Sequence, residues 1–295
     1  MTPRLILHAG AGLRERTRAS AEQIEARLDD ILTAAWAVLT AEGARACVRY
    51  AVEQLEHEPL FNAGTGSKLQ ADGVARMSAS IMSADDGIFS GVINVEGIAH
   101  PVVAADRLHG VPHHVLAGTP ALDWLRCAGF SAHDPVTDQR REEWREGRAG
   151  RTGTVGAVAL DATGVIAAAT STGGVGMEQP GRVSDSATVA GNYASAMAGV
   201  SVTGVGEHIV HHAVAARVVV RCTDGLALSD AVLRTLDEAS QREYQFGLIA
   251  LAADGSLVAN QTPGVQTLYA ARCGERALSF LQAPALHWPA KPSPS

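Results

Sequence analysis

The stretch from Gly153 to Asp161, Gly-Thr-Val-Gly-Ala-Val-Ala-Leu-Asp, constrains the fold of this 295-residue chain more than any other. Its apolar run after a glycine and a threonine predicts a buried strand that begins at Thr154. On its own, the pattern is most typical of the start of an ordinary strand. The polar residues that follow it give the Thr154 hydroxyl a second interpretation.

Three short clusters of polar residues and glycine follow Thr154 along the chain. They are Thr170-Ser171-Thr172-Gly173-Gly174, Gly181-Arg182-Val183-Ser184-Asp185 and Thr203-Gly204-Val205-Gly206-Glu207. Arg182 offers a planar fork suited to a carboxylate, and Asp185 offers a counter-charge for an ammonium group. Thr203 and Gly204 offer a hydroxyl and a backbone amide to a developing oxyanion. A solvent-exposed ion pair between Arg182 and Asp185 is the alternative interpretation.

A threonine hydroxyl is a poor nucleophile until a base takes its proton. If the chain is cut before Thr154, the new α-amine lies on the same residue as the hydroxyl. Its reference pKa of about 7.7–8.0 leaves a useful neutral fraction at physiological pH. One residue would then supply both nucleophile and base. The cut would begin with an N-to-O acyl shift, which needs only the Thr154 hydroxyl and a strained Gly153 carbonyl.

Hydrophobic spacing predicts alternating helices and hairpins around this stretch. Helices are expected from Ser20, which has the form of a helix start, to Gly43, then at about Ala44 to Leu55, Pro101 to Leu108, Pro120 to Gly129, Glu207 to Arg221 and Leu228 to Gln241. Strands are expected at Leu5 to Leu7, Ser78 to Met82, Ile88 to Val95, Thr154 to Leu160, Val165 to Thr170, Phe246 to Leu251 and Leu257 to Asn260. Such an order suggests stacked antiparallel sheets between helical layers.

Two further segments have a distinct character. His8 to Gly12 is a glycine-rich segment that predicts a tight turn after the first strand. Residues 131–153 include a segment dense in both charges and nearly free of apolar residues, which predicts a solvated, mobile linker before Thr154. The interleaved glutamates argue against a basic nucleic-acid arm there.

Taken together, the motifs closely resemble the plant-type asparaginase/isoaspartyl peptidase family of N-terminal-nucleophile hydrolases. The resemblance runs from about Leu5 to Ala271 and is strongest from Gly153 to Glu207. It implies an α+β fold, a four-layer αββα sandwich. One precursor would be cleaved between Gly153 and Thr154 into an α subunit of residues 1–153 and a β subunit of residues 154–295. These would pair as a dimer of heterodimers.

The resemblance also implies a role for individual residues. Thr154 is the nucleophile, Thr172 hydrogen-bonds its hydroxyl, and Thr203 with Gly204 forms the oxyanion hole. Asn62, within Leu-Phe-Asn-Ala-Gly, lies beside the nucleophile. The implied substrate-binding residues are Arg182, Asp185 and Gly206. The implied substrates are asparagine and peptides that begin with β-aspartate, because both carry the scissile amide on the side-chain carbon.

No cofactor for catalysis is implied, but the family binds a structural sodium ion through backbone carbonyls. The matching carbonyls belong to Leu55, Glu56, Glu58, Phe61, Ala63 and Thr65. The Gly64 to Lys68 segment lacks the spacing of a phosphate-binding loop, so nucleotide binding is rejected there. His208, His211 and His212 lack the His-Glu-x-x-His arrangement of a zinc site, which favours an ordinary helix face.

The chain departs from the family pattern at four places. Ala9 stands where glycine is usual and could restrict the first turn. Ser78 replaces a usual aspartate, Ser83-Ala84 replaces Asp-Gly, and Ser184 stands where glycine is common. These changes bear on activation and on substrate preference.

The formal net charge of −7 argues against nucleic acid or an anionic membrane as the main partner and favours a small molecule. Four dispersed cysteines without a Cys-x-x-Cys pair are typical of reduced thiols in a cytoplasmic protein. We expect neither a signal peptide nor a membrane span.

Two alternatives to the plant-type enzyme stay open. Glycosylasparaginase belongs to the same superfamily, and it is disfavoured by the missing secretory signal and by Gly153 where that enzyme has aspartate. An uncleaved pseudoenzyme that binds amino acids is the alternative from another class, and Ala9 and Ser184 make it conceivable.

Overall fold

A computed structural model of the protein describes residues 1–11, 20–148, 153–280 and 285–288, and it has a mixed α+β fold. The elements before Thr154 are β1 (Arg4–Ala11), α1 (Ala21–Glu42), α2 (Ala44–His57), β2 (Met77–Ser83), β3 (Phe89–Val95), α3 (Pro101–Leu108), β4 (Val115–Ala117), α4 (Gly118–Cys127) and α5 (Asp138–Arg145). Those after it are β5 (Val155–Leu160), β6 (Ile166–Thr172), a short 3-10 helix (Asp185–Ala187), β7 (Asn192–Ala194), β8 (Ala198–Gly204), α6 (Gly206–His212), α7 (Val214–Thr223), α8 (Leu228–Ser240), β9 (Phe246–Ala252), β10 (Leu257–Gln261), β11 (Thr267–Cys273), β12 (Arg276–Phe280) and β13 (Leu286–Trp288).

The described strands form two sheets. The larger has eight strands in the order β12-β11-β1-β5-β6-β2-β3-β4, and the smaller has five in the order β13-β10-β9-β8-β7. All neighbours pair antiparallel except β3 and β4. Strands from the two halves of the chain are interleaved in the larger sheet. For example, β1 lies between β11 and β5, and β6 pairs with β2.

Three apolar cores surround these sheets. Helices α1 to α4 pack on one face of the larger sheet, the two sheets pack against each other, and α6 to α8 share a core with the smaller sheet. Strand β5 contributes to two of the cores. Ala157 and Ala159 face the α1 to α4 core, whereas Val158 and Leu160 face the core between the sheets. Burial on both faces explains why this strand is a continuous apolar run rather than an alternating one.

The predicted first helix pair is confirmed. The side chain of Ser20 accepts a hydrogen bond from the Gln23 amide at 3.3 Å, and the Gln23 side chain accepts one from the Ser20 amide at 2.8 Å. This capping box starts α1, and Gly43 at φ 90° separates α1 from α2. The other predicted helices and hairpin strands are present, with ends that differ by a few residues.

The structure differs from the sequence-based prediction in three segments. No tight turn follows Leu7, because β1 continues to Ala11 across an irregularity after His8; Gly12 lies outside the described residues. The stretch predicted as one helix from Glu207 is two helices, since Ala213 adopts a left-handed conformation with φ 48° between α6 and α7.

The third difference lies in the segment predicted as a linker, residues 131–153, of which 149–152 lie outside the described residues. It contains helix α5, which the sequence analysis did not predict. Thr137 caps the helix by accepting from the Arg140 amide at 3.3 Å. Arg140 Nε in turn donates to the Gly66 carbonyl at 2.6 Å. The charges that suggested a solvated chain therefore include one that attaches the helix to the loop after Asn62.

No helix in the described part of the chain has both the length and the apolar character needed to cross a membrane.

Candidate active site

Thr154 lies at the start of β5 and is 6% exposed. Its hydroxyl donates to Thr172 Oγ1 at 3.1 Å. Thr172 ends β6, and the pairing of Val155 with Ser171 brings the two threonines together at one end of the sheet. The Gly174 amide also donates to Thr172 Oγ1, at 3.2 Å. The backbone and the neighbouring strand thus hold a buried hydroxyl pair in a fixed position.

Gly153, which precedes Thr154, is closely packed against Asn62 and Gly10. A Cβ atom on Gly153 would lie 2.4 Å from the Cβ of Asn62, and one on Gly10 would lie 2.9 Å from the Cα of Gly153. Gly10 has φ 103°, whereas Ala9 is not among the residues with positive φ. Gly10 is therefore the residue whose backbone conformation requires glycine, and Ala9 does not strain the strand.

Asn62 connects the loop after α2 to the end of β6. Its Nδ2 donates to the Gly174 carbonyl at 2.6 Å, and its Oδ1 accepts from the Lys68 amide at 2.9 Å. Its own carbonyl accepts from the Gly173 amide at 2.8 Å. Because Nδ2 and Oδ1 are both hydrogen-bonded and the residue is only 3% exposed, Asn62 is held in a fixed position against Gly153.

Arg182 pairs with a residue that the sequence analysis did not assign to the site. Its Nε donates to Glu207 Oε1 at 2.6 Å and its Nη2 to Glu207 Oε2 at 3.0 Å. Burial disfavours the charge on Arg182, but these hydrogen bonds outweigh burial and raise its pKa; the same bonds lower the pKa of Glu207. No direct ion pair joins Arg182 to Asp185 in the described structure, so the exposed pair considered above is wrong.

Gly206 provides room for both charged side chains. A Cβ atom at this position would lie 2.6 Å from Arg182 Nη2 and 2.9 Å from Asp185 Oδ1. Gly206 is also the first residue of α6, immediately before Glu207. The absence of a side chain therefore lets the guanidinium and the carboxylate approach the same point.

Asp185 is a buried carboxylate whose Oδ2 has no hydrogen-bond partner among the described residues. Burial raises its pKa to about 7, and the nearby Arg182 charge opposes that rise. A Cβ atom on Gly191 would lie 2.6 Å from Oδ2, so the surrounding backbone fits closely around this oxygen. An unpaired buried carboxylate oxygen of this kind suits a cationic ligand.

Ser184 tolerates the position where glycine was expected. Its φ is −83°, and its Oγ accepts from the Ser186 amide at 3.2 Å to cap the short helix that begins at Asp185. Its Oγ also lies 3.5 Å from Asp185 Oδ1. The serine thus stabilises the turn that presents Asp185.

Thr203 and Gly204 end β8 next to β9. Gly204 has φ 153°, and a Cβ atom there would lie 2.5 Å from the Cα of Phe246. The Thr203 side chain is fully buried, and its hydroxyl lacks a partner among the described residues. The Thr203 hydroxyl therefore retains a free donor, as an oxyanion hole requires.

One cleft contains most of the predicted residues. It is lined by Thr154, Thr172, Gly174, Val175, Arg182, Ser184, Asp185, Gly204 and Gly206. Gly153, Asn62 and Thr203 are not part of this lining. Gly174, Val175 and Ser184 were not predicted as site residues, although Gly174 belongs to the first polar cluster after Thr154. The cleft therefore combines a hydroxyl, a guanidinium and a carboxylate.

His8 is a buried imidazole close to this cleft, and Gly156, opposite it on β5, lies two residues after Thr154. Its Nε2 is 2.8 Å from Ser201 Oγ, which is itself 2.6 Å from Thr170 Oγ1. Burial lowers the pKa of His8 to about 3, so the ring is neutral at physiological pH. With so low a pKa, and with no hydrogen bond to the Thr154 hydroxyl among the described residues, His8 is an unsuitable base for Thr154.

Two of the carbonyl oxygens proposed for sodium each accept a backbone hydrogen bond. The Glu56 carbonyl accepts from the Thr65 amide at 2.8 Å, and the Glu58 carbonyl accepts from the Phe61 amide at 3.1 Å. Each carbonyl keeps a second lone pair, and oxygen donors suit a hard cation. The residues present therefore fit the chemistry of such an ion.

Within the described ranges, no group of three or more His, Cys, Asp or Glu side chains is arranged to hold a metal ion. The three histidines considered for a metal instead lie around Tyr244. The ring of His208 stacks on Tyr244 at 4.8 Å between centroids, and His212 contacts it edge-on at 6.0 Å.

Comparison with known proteins adds a separate finding. The family described as Asparaginase matches residues 1–152 and 146–278. An isoaspartyl peptidase/L-asparaginase of Synechocystis sp. is 44% identical, over 89% of this chain and 85% of that protein. A plant-type L-asparaginase of Pyrococcus furiosus is 36% identical over 69% and 74%, and the isoaspartyl peptidase of Escherichia coli is 35% identical over 86% and 85%.

Proposed function

This chain belongs to the asparaginase family and is a hydrolase, and we propose that it hydrolyses L-asparagine and peptides that begin with a β-aspartyl residue. The observation that carries the proposal is the content of one cleft. The Thr154 hydroxyl lies there with the Arg182 guanidinium and the unpaired carboxylate oxygen of Asp185. These are the partners that a nucleophilic reaction on an α-amino acid needs.

Substrate recognition follows from the two charges. A free amino acid carries a carboxylate, which a guanidinium binds through two parallel hydrogen bonds, and an ammonium, which Asp185 can accept. Asparagine and β-aspartyl peptides share both groups on one carbon and carry the scissile carbonyl one methylene away. α-Aspartyl peptides carry the scissile carbonyl on the carbon that the two charges hold. The cleft is therefore suited to the β-linked amide only.

Activation would begin at the enclosed peptide bond. We propose that the Thr154 hydroxyl attacks the Gly153 carbonyl, that the bond to the Thr154 nitrogen breaks, and that water then hydrolyses the resulting ester. The products are a carboxylate at Gly153 and a free α-amine at Thr154. Close packing of Gly153 between Gly10 and Asn62 supports this step, because it restricts the movement of the scissile peptide bond.

Turnover would use the same hydroxyl. The α-amine of Thr154 takes the hydroxyl proton, Oγ1 attacks the β-carbonyl of the substrate, and the amine protonates the departing ammonia or peptide. Water then hydrolyses the acyl-enzyme to aspartate. The Gly204 amide and the Thr203 hydroxyl stabilise the negative oxygen in both steps. Thr172 orients the nucleophile through its 3.1 Å hydrogen bond.

The proposed function also implies an architecture, a division into subunits and a bound ion. We propose that the three cores correspond to the four-layer αββα sandwich of N-terminal-nucleophile hydrolases. The subunits would be residues 1–153 and 154–295, paired as a dimer of heterodimers. A structural sodium ion would be held by the carbonyls of Leu55, Glu56, Glu58, Phe61, Ala63 and Thr65. Such an ion supplies rigidity to the loop that carries Asn62, and no chemical step depends on it.

The test combines intact mass with three substrates. Purified protein should convert to two fragments that meet between Gly153 and Thr154, while Thr154→Ala stays a single chain. The cleaved protein should hydrolyse asparagine and a β-aspartyl dipeptide, with the dipeptide preferred because its second residue adds contacts. An α-aspartyl dipeptide cleaved at a similar rate would refute the recognition scheme. A full-length chain that is nonetheless active would refute the nucleophile.

A further inference from the structure

Asn94, at the end of β3, makes a contact that the proposed mechanism does not use. Its backbone is left-handed, with φ 51°. Its Nδ2 donates to the carbonyl oxygen of Arg182 at 3.0 Å, and its amide donates to Ser78 Oγ at 3.1 Å. A left-handed conformation is unfavourable for most residues other than glycine, and asparagine is among those that tolerate it. The side chain therefore has a local conformational cost and a specific partner.

The Arg182 backbone has few other anchors. Its amide donates to the Gln179 carbonyl at 3.0 Å, and the next residue, Val183, is 53% exposed. Within the described residues, the only hydrogen bond to the Arg182 carbonyl comes from Asn94. This bond joins a surface segment to a strand of the larger sheet.

The other side of Asn94 leads back to the nucleophile. Ser78 lies on β2 directly opposite Thr172 on β6, and Thr172 accepts the hydrogen bond of Thr154. The pairing of β2 with β3 is irregular between Met77 and Ala79, at the position of Ser78. At that irregularity, the Ser78 hydroxyl oxygen accepts the hydrogen bond of the Asn94 amide. A short continuous path thus runs from Thr154 through Thr172, Ser78 and Asn94 to Arg182.

We propose that Asn94 is a positioning residue for substrate selection, acting through the Arg182 backbone; this rests on the proposed function. Arg182 binds the α-carboxylate, and Thr154 attacks the side-chain carbonyl. The distance between the Arg182 guanidinium and the Thr154 hydroxyl sets which length of substrate side chain is accepted. Glutamine moves its carbonyl by about one bond length, and a misplacement of about 1 Å can cost on the order of a hundredfold in rate. A fixed Arg182 is therefore what distinguishes asparagine from glutamine.

The decisive variant is Asn94→Gly. Glycine adopts the same φ without strain and keeps the backbone amide that donates to Ser78, so only the bond to Arg182 is lost. We expect KM for asparagine to rise by about 3- to 10-fold, the range that one neutral hydrogen bond gives. We expect kcat to change by less than about twofold and the ratio of kcat/KM for asparagine over glutamine to fall by about fivefold or more. Self-cleavage, which needs no substrate, should proceed at the wild-type rate.

The matched control is Glu243→Gly. Glu243 is another left-handed residue, with φ 57°, and its side chain is exposed. This variant should match the wild type in KM, kcat and the asparagine-to-glutamine ratio. Equal behaviour of Asn94→Gly and Glu243→Gly in all three would overturn the proposal. Slower self-cleavage together with a lower kcat in Asn94→Gly would also overturn it, because those changes indicate a general structural role.

A double-mutant cycle identifies the partner. In an Arg182→Lys background, Asn94→Gly should have little further effect on KM, since both changes disturb the same group. Additive effects would show that Asn94 acts elsewhere and would overturn the proposal. The wild type is assayed in parallel. If it hydrolyses neither asparagine nor a β-aspartyl dipeptide, the proposed function itself fails, whereas an active wild type with an indistinguishable Asn94→Gly refutes this inference alone.

Discussion

The guanidinium of Arg182 is bound along one edge by both carboxylate oxygens of Glu207, with Nε 2.6 Å from Oε1 and Nη2 3.0 Å from Oε2. Nη1 has no hydrogen-bond partner among the described residues. A planar guanidinium has two edges that can each bind a carboxylate. Glu207 occupies the edge that contains Nε, so a substrate carboxylate is left with the edge that contains Nη1.

Replacement of Glu207 by glutamine should therefore weaken substrate binding. An amide has a single acceptor oxygen and cannot hold the fork at both nitrogens, so the guanidinium would lose its fixed orientation. We expect KM to rise by about 3- to 10-fold with kcat nearly unchanged, since Glu207 is 54% exposed and the pair is screened by water. Steady-state kinetics of Glu207→Gln measure this. Glu53→Gln, which breaks a remote pair with Arg49, is the control. A fall in KM would mean that Glu207 competes with the substrate.

Gly206→Ala should separate activity from stability. The new Cβ would lie 2.6 Å from Arg182 Nη2 and 2.9 Å from Asp185 Oδ1, so both groups must move. We expect kcat/KM to fall by about 10- to 100-fold. The melting temperature should fall only slightly, since alanine in the first turn of α6 offsets part of the cost of moving these side chains. In Gly110→Ala, the added Cβ meets nothing within 4 Å, so this variant should keep wild-type activity. Wild-type kcat/KM in Gly206→Ala would contradict the close packing of these side chains.

Self-cleavage should depend on Gly10 and not on Ala9. A Cβ atom on Gly10 would lie 2.9 Å from the Cα of Gly153, and its φ of 103° disfavours any side chain. Gly10→Ala should therefore slow cleavage by about tenfold or more, because it displaces the scissile carbonyl. Ala9→Gly should leave the rate nearly unchanged. Mass spectra recorded over several days of storage give both cleavage rates. Faster self-cleavage in Ala9→Gly than in the wild type would show that Ala9 hinders activation.

Asp185→Asn should stabilise the protein while it removes turnover. The folded-state pKa of about 7 exceeds the usual 3.8, so the folded protein holds this proton more tightly than the unfolded chain. The stabilising contribution of the protonated carboxyl is complete below pH 3.8 and is lost as the pH rises through 7. A shift of roughly three units corresponds to about 4 kcal/mol lost by pH 8, as an upper bound. Asparagine cannot ionise and avoids this loss.

The experiment compares the melting temperature of the Thr154→Ala variant with that of the double variant Thr154→Ala, Asp185→Asn. Both proteins remain single chains. The advantage of the asparagine variant should grow between pH 5 and pH 8. A pH-independent difference would show that Asp185 titrates at an ordinary pKa. In the active background, Asp185→Asn should retain self-cleavage and lose hydrolysis of asparagine, because the ammonium partner is gone.

Periodicity and capping signals predicted much of the fold. The helix pair from Ala21 to His57 and the strand that starts after Thr154 were predicted because their signals are local. Helix α5 was missed because its sequence, Asp-Gln-Arg-Arg-Glu-Glu-Trp-Arg, lacks an apolar face, and its attachment through Arg140 to the Gly66 carbonyl is not visible in the sequence. Tertiary contacts thus stabilise a helix that periodicity cannot indicate.

The sequence analysis named Thr172 as the hydrogen-bond partner of Thr154, but it did not name the partner of Arg182. The motif ending in Glu207 was part of the resemblance, yet its glutamate had no role until the structure paired it with Arg182, 25 residues away along the chain. Concern over Ala9 arose from comparison with the family motif, whereas φ angles assign the constraint to Gly10. Backbone conformation and long-range pairing depend on the whole fold, which explains why a single sequence could not supply them.

The interleaving of strands from both halves of the chain in the larger sheet has a consequence for refolding. If the chain is cut before Thr154, β1 of the first fragment remains between β5 and β11 of the second, and β2 remains paired with β6. The fragments then separate only when the sheet is dismantled. An intact precursor refolds as one molecule, but the cut form must find its other half, so its recovery after heating becomes second order and falls on dilution. Self-cleavage would thus turn refolding from a reaction within one molecule into one that depends on concentration.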